Sequence, residues 1–431
     1  MNLPRSLEGT LAALKNAGYR VDSAGEKELT QLLQRLLAPV YRPPTDNREL
    51  DLLLQDGLAE LFPVSSYRQW LDSLPPAVKD ALMKDWGEPE KSTMAVRRNG
   101  QAYFAIPRLK LGNAIVMPQA PRGERGKSGG QDKEKALYHS STAAPPHFYL
   151  ATYLWMRQQF GADALIHYGT HGTQEWLPGK ERGLSVYDYP LLAIGDLPVI
   201  YPYIVDNIGE ATQAKRRGRA VTITYQTPPF APAGLHEALT KIHDLLHAWL
   251  AQDEGAVKEK QKAEFLQLVK KERIDKDLAW SDARIEQDFR GFIDTVHDHL
   301  HELARSAQPM GLHTFGKGAD EKWRLGTVLL MLGKDFIEAA AGPDEEADEA
   351  LVGDYAKLVE SSPYKLLKRH VVDGVPSAGL TPKLKEAVDR GRRWYADLAA
   401  GGEMTGLLAA LDGRYVPTSY GGDPIKNPDS L

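Results

Sequence analysis

The chain has 431 residues, 42% of them hydrophobic, and its 53 basic and 58 acidic side chains leave a net charge of −5. This balance argues against wholesale binding of nucleic acid or of an anionic membrane, although local basic patches remain possible. Because there is no cysteine, disulfides, thiolate metal sites and iron–sulfur clusters are excluded, and a bound metal needs histidine, carboxylate or other oxygen ligands. The sequence shows no secretory signal and no apolar run of roughly 18 residues, so we expect a cytoplasmic protein without a membrane span.

Hydrophobic patterning predicts a mixed α/β protein with several lobes. Leu7, Leu11 and Leu14 fall on one face of an opening helix, and strand-like segments alternate with helical ones from about residue 100 to residue 230. This alternation is typical of an α/β unit with a largely buried sheet. After Leu235, apolar residues recur at three- and four-residue spacing, which predicts a mostly helical region.

The individual elements and domains can be placed approximately. We expect two strands within 102–119, further strands at 163–167, 199–205 and 220–226, and helices at 147–160 and 210–217. At roughly 150 residues per domain, the length allows about three domains. The expected division is an N-terminal α/β or helical lobe (1–98), an α/β core (99–233) and a mainly helical lobe (234–431).

The segment 163–185, DALIHYGTHGTQEWLPGKERGLS, is the most informative stretch for chemistry. Its apolar strand ends at His167, where open α/β sheets bind ligands, and Gly169 and Gly172 permit a tight turn or a close backbone approach to a ligand. His167, His171 and Glu175 recur every four residues, a spacing that aligns them if the turn runs into a helix. Two imidazoles and a carboxylate suit a borderline divalent metal or proton transfer near neutral pH. The alternative is a glycine turn whose histidines are simply hydrogen-bonded.

Two basic segments differ in their interpretation. The loop 121–137 resembles a phosphate-binding loop, but the Walker pattern requires a glycine where Pro121 stands, so we expect no nucleotide binding on this chain. The run AKRRGR at 214–219 has four cations in five positions. It either holds carboxylates or phosphates or is a solvated helix end.

Other histidines and aromatic residues have a structural and a functional interpretation. In the segment HDHLH, His297 and His301 share a face of a polar helix that also carries His299, and we expect a solvated surface for all three. The aromatic residues near His167 either stack on a flat ligand or belong to the core: Tyr168, Trp176, Tyr187 and Tyr189.

Longer runs of sequence carry a family resemblance. HYGTHGTQEWLPGKERGLS (167–185), followed by GDLPVIYPYIVDNIGEATQAKRRGRAVTITYQTPP (195–229), resembles the signature region of the CobN/magnesium-chelatase H-subunit family. Further stretches agree in order: LPPAVKDALMKDWGEP, LGNAIVMPQAPRG, YHSSTAAPPHFYLATYLW, GLHTFG and GGDPIKNPDSL. The resemblance runs from about residue 65 to the end. Members of the family are far longer, so we expect both ends of this chain to be cuts within a larger subunit.

The resemblance implies the large, tetrapyrrole-binding subunit of an ATP-dependent metal chelatase. ATP–Mg is then bound not by this chain but by partner subunits, an AAA+ ATPase and its von Willebrand A-type companion (CobS/CobT-like or ChlI/ChlD-like). Within the family, WLPGK (176–180) looks most like the cobalt branch, which inserts Co²⁺ into a tetrapyrrole of the hydrogenobyrinic acid a,c-diamide type for cobalamin biosynthesis. Thr170 and the run GEATQAKRR look about as much like the magnesium branch.

Four alternatives stay open. The magnesium branch inserts Mg²⁺ into protoporphyrin IX for chlorophyll, a CobN-like branch removes Fe²⁺ from heme, and a tetrapyrrole or metal carrier keeps the pocket without turnover. A zinc hydrolase with histidine and glutamate ligands is a different class of enzyme, and it would bind zinc tightly without binding a chromophore.

The resemblance also implies roles for individual residues. Glu175 is the best base or metal carrier, with His167 and His171 as metal ligands or proton relays, and we expect Glu175 to face a cleft near at least one of these histidines. Cationic, aromatic and second-tier histidine side chains are the candidates for holding the macrocycle and its carboxylates: Lys180, Arg182, Lys215, Arg216, Arg217, Trp176, Tyr168, His139 and His147, with His313 in addition.

Overall fold

The structure is a computed structural model that describes residues 1–41, 47–123, 142–169, 172–181, 183–205, 207–305, 307–342, 355–400 and 402–416. The chain divides into two compact units. The first unit contains Met1–Thr227, Thr314–Lys317 and Gly401–Leu431, and the second contains Pro228–His313 and Gly318–Ala400. Within the described residues, no helix is both long and apolar enough to cross a membrane.

The first unit begins with an amphipathic helix. In the opening helix, Leu7, Leu11 and Leu14 are buried, as predicted, and the Asn2 side chain accepts a hydrogen bond from the Arg5 backbone N–H at 3.2 Å. The helices up to residue 218 are α1 (Leu3–Asn16), α2 (Glu26–Tyr41), α3 (Arg48–Gln55), α4 (Val64–Asp72), α5 (Pro76–Trp86), α6 (His147–Trp155), α7 (Tyr189–Ile194) and α8 (Ile208–Gly218).

Three small sheets lie in the first unit. Their strands are β1 (Ala59–Pro63), β2 (Ala95–Arg98), β3 (Gln101–Pro107), β4 (Leu109–Leu111), β5 (Ala114–Val116), β6 (Leu165–Ile166), β7 (Val199–Ile204) and β8 (Ala220–Tyr225). Strand β3 pairs antiparallel with β1 and β2, and β4 forms a hairpin with β5. Strands β6, β7 and β8 form a parallel sheet in that order, in which Val199 pairs with both Leu165 and Ala220. The carboxyl ends of these three strands therefore meet at one edge.

Helix α6 occupies the largest core of the first unit. All its residues are buried, because HFYLATYLW offers no charged face to solvent. It packs with Tyr67 of α4 and Phe104 of β3, whose rings meet edge to face at 5.4 Å. The helix continues into a wider π-helical turn (Met156–Phe160) and ends at Gly161, where φ is +70°. The predicted helix over 147–160 is thus confirmed, but the expectation that it is amphipathic is wrong, because every residue of His147–Trp155 is buried.

The second unit is mostly helical, as predicted. Its elements begin with β9 (Phe230–Pro232), which pairs antiparallel with β10 (Ala307–Pro309). The helices are α9 (Glu237–Ala251), α10 (Ala256–Lys271), α11 (Ile274–Asp277), α12 (Asp282–Gln287), α13 (Phe289–Arg305), α14 (Glu321–Leu332), α15 (Lys334–Ala340), α16 (Tyr355–Glu360), α17 (Ser362–Leu367) and α18 (Pro382–Ala400). One hydrophobic core joins α9, α10 and α13, and another joins α14 to α18. The chain then returns to the first unit in α19 (Glu403–Leu411).

The mixed α/β class is confirmed, whereas several boundaries differ from the prediction. Strands β2 and β3 pair across the expected division at 98/99, with Val96 opposite Tyr103, so the regions 1–98 and 99–227 belong to one unit. The segment 102–119 contributes to three strands rather than two. The strand expected at 163–167 is only Leu165–Ile166, because only these two residues pair with β7.

Candidate functional site

His167 follows β6 directly at the edge where the parallel strands end. Its backbone N–H donates to the Ile200 carbonyl at 2.9 Å, and its Nε2 lies 3.1 Å from the Tyr153 hydroxyl. The ring lies edge to face against Tyr153 and Tyr201. Burial among these groups lowers the pKa of His167 to about 4, so the imidazole is neutral at pH 7. Neutral imidazole is the form that binds metal ions and relays protons.

Glu175 lies in a single 3₁₀ turn, Gln174–Trp176, and its side chain is buried. The residue is only 1% exposed, and neither carboxylate oxygen has a hydrogen-bond partner among the described residues. The carboxylate packs onto the backbone of Gly172, where a Cβ atom would come within 2.5 Å of Oε1. Burial raises the pKa of Glu175, and this effect exceeds the opposing influence of its own backbone N–H and of the Tyr201 hydroxyl. Such a carboxyl is a site candidate, because structural carboxylates at this depth are normally paired.

Tyr201, in β7, connects His167 with Glu175. Its ring centroid lies 6.0 Å from that of His167, and burial together with the nearby Glu175 carboxylate raises its pKa. Its hydroxyl and the His167 Nδ1 atom are also buried without a hydrogen-bond partner among the described residues. The site therefore has four polar atoms that are withheld from water and available to a ligand, two of them on Glu175. Nothing in the strand VIYPYI distinguishes Tyr201 from a core tyrosine, so sequence reasoning missed it.

The His167 ring is held by a hydrogen-bonded group that the sequence did not predict. Tyr149 and Tyr153 are four residues apart on α6, and their rings stack at 5.4 Å. The Tyr149 hydroxyl lies 2.8 Å from Thr173 Oγ1, and the Tyr153 hydroxyl donates to Gln119 Oε1 at 3.1 Å. The four-residue spacing within YLATY was the available signal, but it is equally typical of core packing. Together these contacts join α6 to both ends of the turn that carries His167 and Glu175.

Arg217 holds the Glu175 turn through its backbone. Its guanidinium donates from Nε to the Glu175 carbonyl at 2.8 Å, from Nη2 to the Leu177 carbonyl at 2.7 Å, and from Nη1 to the Lys180 carbonyl. In this structure Arg217 therefore supports the turn, and its predicted role in binding macrocycle carboxylates stays a prediction. Helix α8 also packs closely against this turn at Gly218, where a Cβ atom would lie 3.2 Å from Gln174 Oε1.

The other predicted cations and Trp176 lie on the surface. Lys180, Lys215 and Arg216 are exposed, so they are available to an anionic ligand. Trp176 is 40% exposed and donates from Nε1 to Glu210 Oε2 at 2.9 Å. An exposed indole of this kind offers a face on which a flat ring can stack.

Tyr168 and His147 have structural positions, contrary to prediction. The Tyr168 hydroxyl contacts Thr10 Oγ1 at 2.8 Å, and its ring packs edge to face on Phe315. The His147 ring is 2% exposed, with Nδ1 2.8 Å from the Tyr67 hydroxyl and Nε2 2.8 Å from the Gly87 carbonyl. Because both ring nitrogens are occupied and the Tyr168 hydroxyl faces α1, neither side chain is available to a ligand.

Several predicted residues cannot be assigned a position. His171, His139 and Arg182 lie outside the described residues, as does most of the loop that resembles a phosphate-binding loop. The expected helical alignment of His167, His171 and Glu175 is wrong, since the described part of this stretch is irregular apart from the 3₁₀ turn at Gln174–Trp176. Glu175 and His167 therefore meet through Tyr201 and not along a helix face.

The histidines of HDHLH also differ from expectation. His301 is 2% exposed, and His297 is partly buried, so the predicted solvated surface is wrong for both. They lie opposite His243 and His247 of α9 in the second unit. His313, in the same unit, is 5% exposed.

Comparison with known proteins decides the family. The profile described as CobN/Magnesium Chelatase matches residues 1–431, the full length of this sequence. The chain belongs to the CobN/magnesium-chelatase family. The match also covers residues 1–64, which precede the motifs that carry the family resemblance.

Relatives of known name come from both metal branches of the family. The chain is 31% identical to the aerobic cobaltochelatase subunit CobN of Pseudomonas aeruginosa, covering 99% of this chain and 36% of that protein. It is 26% identical to the chloroplastic magnesium-chelatase subunit ChlH of Oryza sativa subsp. indica, covering 100% of this chain and 33% of that protein. The fold matches the catalytic subunit of cobaltochelatase from Mycobacterium tuberculosis with a TM-score of 0.76 and 27% identity, over 97% of this chain and 36% of that one. The chain thus spans about a third of the length of these relatives.

Proposed function

We propose that this chain is part of the large tetrapyrrole-binding subunit of a cobalt chelatase, which inserts Co²⁺ into a tetrapyrrole of the hydrogenobyrinic acid a,c-diamide type during cobalamin biosynthesis. ATP is hydrolysed on partner subunits, an AAA+ ATPase and its von Willebrand A-type companion. The observation that carries the proposal is the Glu175 carboxylate of a chain of this family: it is buried, has no hydrogen-bond partner within the part of the chain that the structure describes, and has a raised pKa.

The reaction consumes a free-base macrocycle and a divalent ion and produces the metal complex and the protons of the inner N–H groups that the metal replaces. Each inner N–H must lose its proton as a metal–nitrogen bond forms, which requires a base within reach of the ring centre. A carboxylate of raised pKa is a stronger base than an ordinary glutamate, and a dry surrounding strengthens its interaction with a cation. We assign Glu175 to accept an inner N–H proton and to pass it towards solvent.

His167 and Tyr201 are the neighbours that can complete the reaction centre. The neutral His167 ring can ligate the incoming ion, and the Tyr153 hydroxyl next to Nε2 orients it. The Tyr201 hydroxyl, which stays protonated because burial and Glu175 raise its pKa, can donate a hydrogen bond to the carboxylate or to the ring. His171 remains a candidate third ligand from sequence.

We assign the exposed cations near this turn to the periphery of the macrocycle. The propionate or acetate groups of the macrocycle can form ion pairs with Lys180, Lys215 and Arg216. These ion pairs would replace the hydrogen bonds that the carboxylates make to water. Trp176 offers an exposed ring face beside them. Since Glu175 is 1% exposed, the substrate-bound state must differ from this one around Gly172–Lys180, so that the ring centre reaches the carboxylate.

Cobalt is favoured over magnesium by the chemistry of the donors and by the relatives. An imidazole with a carboxylate suits Co²⁺, whereas Mg²⁺ prefers an oxygen-only shell that keeps several waters. The identity to the cobaltochelatase subunit of P. aeruginosa also exceeds that to the magnesium-chelatase subunit of rice. Magnesium insertion is the second candidate, because the rice relative covers the whole chain.

The proposal is tested with the full-length subunit and its ATPase partners. Glu175→Gln keeps the shape of the side chain but removes the base, so insertion of Co²⁺ should slow by at least about 100-fold, within the range for a lost general base, while tetrapyrrole affinity stays within about twofold. Glu181→Gln changes an exposed glutamate of the same segment and should insert at the wild-type rate. Normal turnover by Glu175→Gln would rule out this mechanism. Insertion of Mg²⁺ into protoporphyrin IX in place of the cobalt reaction would move the chain to the other branch.

A further inference from the structure

Four histidines converge between two helices of the second unit. His243 and His247 are four residues apart on α9, and His297 and His301 are four residues apart on α13. A four-residue spacing places both members of a pair on one helix face, one turn apart. One nitrogen of each ring can be chosen so that all four lie within 4.8 Å of one another. Among the residues that the structure describes, no other group of three or more histidine or carboxylate side chains comes together so closely.

The distances between ring nitrogens match a shared metal ion better than a set of hydrogen bonds. His243 Nε2 lies 3.1 Å from His301 Nε2 and 3.2 Å from His247 Nε2. A ring nitrogen carries either one hydrogen or one lone pair, so His243 Nε2 can complete only one of these two contacts as a hydrogen bond at a time. A tetrahedral ion with bonds of about 2.0–2.1 Å places its nitrogen ligands roughly 3.3–3.4 Å apart, and it engages every lone pair at once.

Burial favours the form of the ring that binds metal. His243 and His301 are 6% and 2% exposed, and the hydrophobic core of α9, α10 and α13 closes the site on its inner side. His297 is partly exposed, which leaves an entry path from solvent. The cluster is therefore shielded on one side and can be reached by an ion from the other.

We propose that His243, His247, His297 and His301 form a site for one borderline divalent transition ion, of the class of Zn²⁺ and Co²⁺. An all-imidazole ligand set suits these ions and disfavours Mg²⁺ and Ca²⁺, which require oxygen ligands. The site fastens α9 to α13 and is independent of the proposed chelatase reaction, because it uses none of the residues around Glu175.

The test uses the full chain without a histidine tag, stripped of metal with a chelator and titrated with Co²⁺. One Co²⁺ per chain should bind, give the visible absorption of a nitrogen-ligated ion, and be displaced by one equivalent of Zn²⁺ but not by excess Mg²⁺. Removing a residue that hydrogen-bonds to a metal ligand typically lowers metal affinity by about 10- to 100-fold, and removing a ligand itself should lower it at least as much. His247→Ala and His301→Ala should therefore each weaken Co²⁺ binding by about 100-fold or more.

Matched variants keep the result interpretable. His299→Ala removes a histidine of the same helix that is not in the cluster, and this variant should bind Co²⁺ like the wild type. Because His301→Ala opens a buried position, the partly exposed His247→Ala serves as the variant that should still fold. Zn²⁺ should raise the melting temperature of the wild type and not that of His247→Ala. Failure of the wild type to bind Co²⁺ at micromolar concentration, or wild-type binding by folded His247→Ala, would overturn the proposal.

Discussion

The Arg217 guanidinium donates from Nε to the backbone carbonyl of Glu175 at 2.8 Å, and its two other nitrogens donate to the carbonyls of Leu177 and Lys180. One side chain of α8 therefore closes the turn that carries the buried carboxylate. The neighbouring Arg216 is exposed, although the two residues look alike in sequence. The basic run at 214–219 therefore contains residues with different roles. Arg217 supports the Glu175 turn, whereas Arg216 is exposed and available to a ligand.

Arg217→Ala should destabilise the protein by about 2–4 kcal/mol, because three carbonyls lose charge-assisted hydrogen bonds. Arg216→Ala should change the free energy of unfolding by no more than about 0.5 kcal/mol, since exposed side chains contribute little. Urea unfolding monitored by tryptophan fluorescence measures both variants. Equal effects of the two substitutions would contradict the distinction between them.

Glu175→Gln should raise stability at alkaline pH. The folded-state pKa of Glu175 is raised, so the contribution of this group to stability is fully present below about pH 4.5 and is lost as the pH rises through the folded-state pKa. Glutamine stays neutral at every pH. We expect a gain in stability at pH 8 that vanishes at pH 4, measured by thermal melting. A carboxylate paired with a cation would show the opposite sign, and exposed Glu181→Gln should show no such pH dependence.

Protonation of His167 should lower the stability of the metal-free protein at acidic pH. Its pKa is lowered to about 4 by burial, below the value of about 6.5 in an unfolded chain, so the unfolded state binds the extra proton between these two values. Stability is full above about pH 6.5 and falls by at most about 3 kcal/mol as the pH drops to 4. His167→Gln should remove this part of the acid sensitivity. Melting curves at pH 7.5 and 4.5 test it, with the partly exposed His299→Gln as the control.

Gly172→Ala should disturb the site without touching a functional side chain. A Cβ at this position would lie 2.5 and 2.6 Å from the two oxygens of Glu175, so the carboxylate must move. We expect a loss of about 1–3 kcal/mol of stability and a slower insertion reaction in the complete enzyme. Gly209→Ala is the matched control, because its Cβ would meet nothing closer than 4.0 Å. Wild-type insertion by the Gly172 variant would show that the position of Glu175 is not critical.

Sequence patterns were reliable where one local rule decides the outcome. Leu7, Leu11 and Leu14 became the buried face of α1, and the apolar run at 147–155 became a buried helix, because periodicity and the lack of charge leave few alternatives. The repeat of His167, His171 and Glu175 misled, because a four-residue spacing has meaning only on a helix. The chain between His167 and Glu175 contains two glycines and, in its described part, forms no helix.

The sequence by itself determined the family, the mixed α/β class and the segment that carries Glu175, since these depend on ordered runs of residues and on local periodicity. Only the tertiary structure decided which polar side chains are available. Tyr201 comes from β7 and Arg217 from α8, and packing turns one towards the carboxylate and the other towards the backbone of its turn. His243 and His301 are 58 residues apart, yet their ring nitrogens lie at 3.1 Å. Contacts of this kind depend on how helices and strands from distant parts of the chain pack, and burial then sets the protonation state of each group.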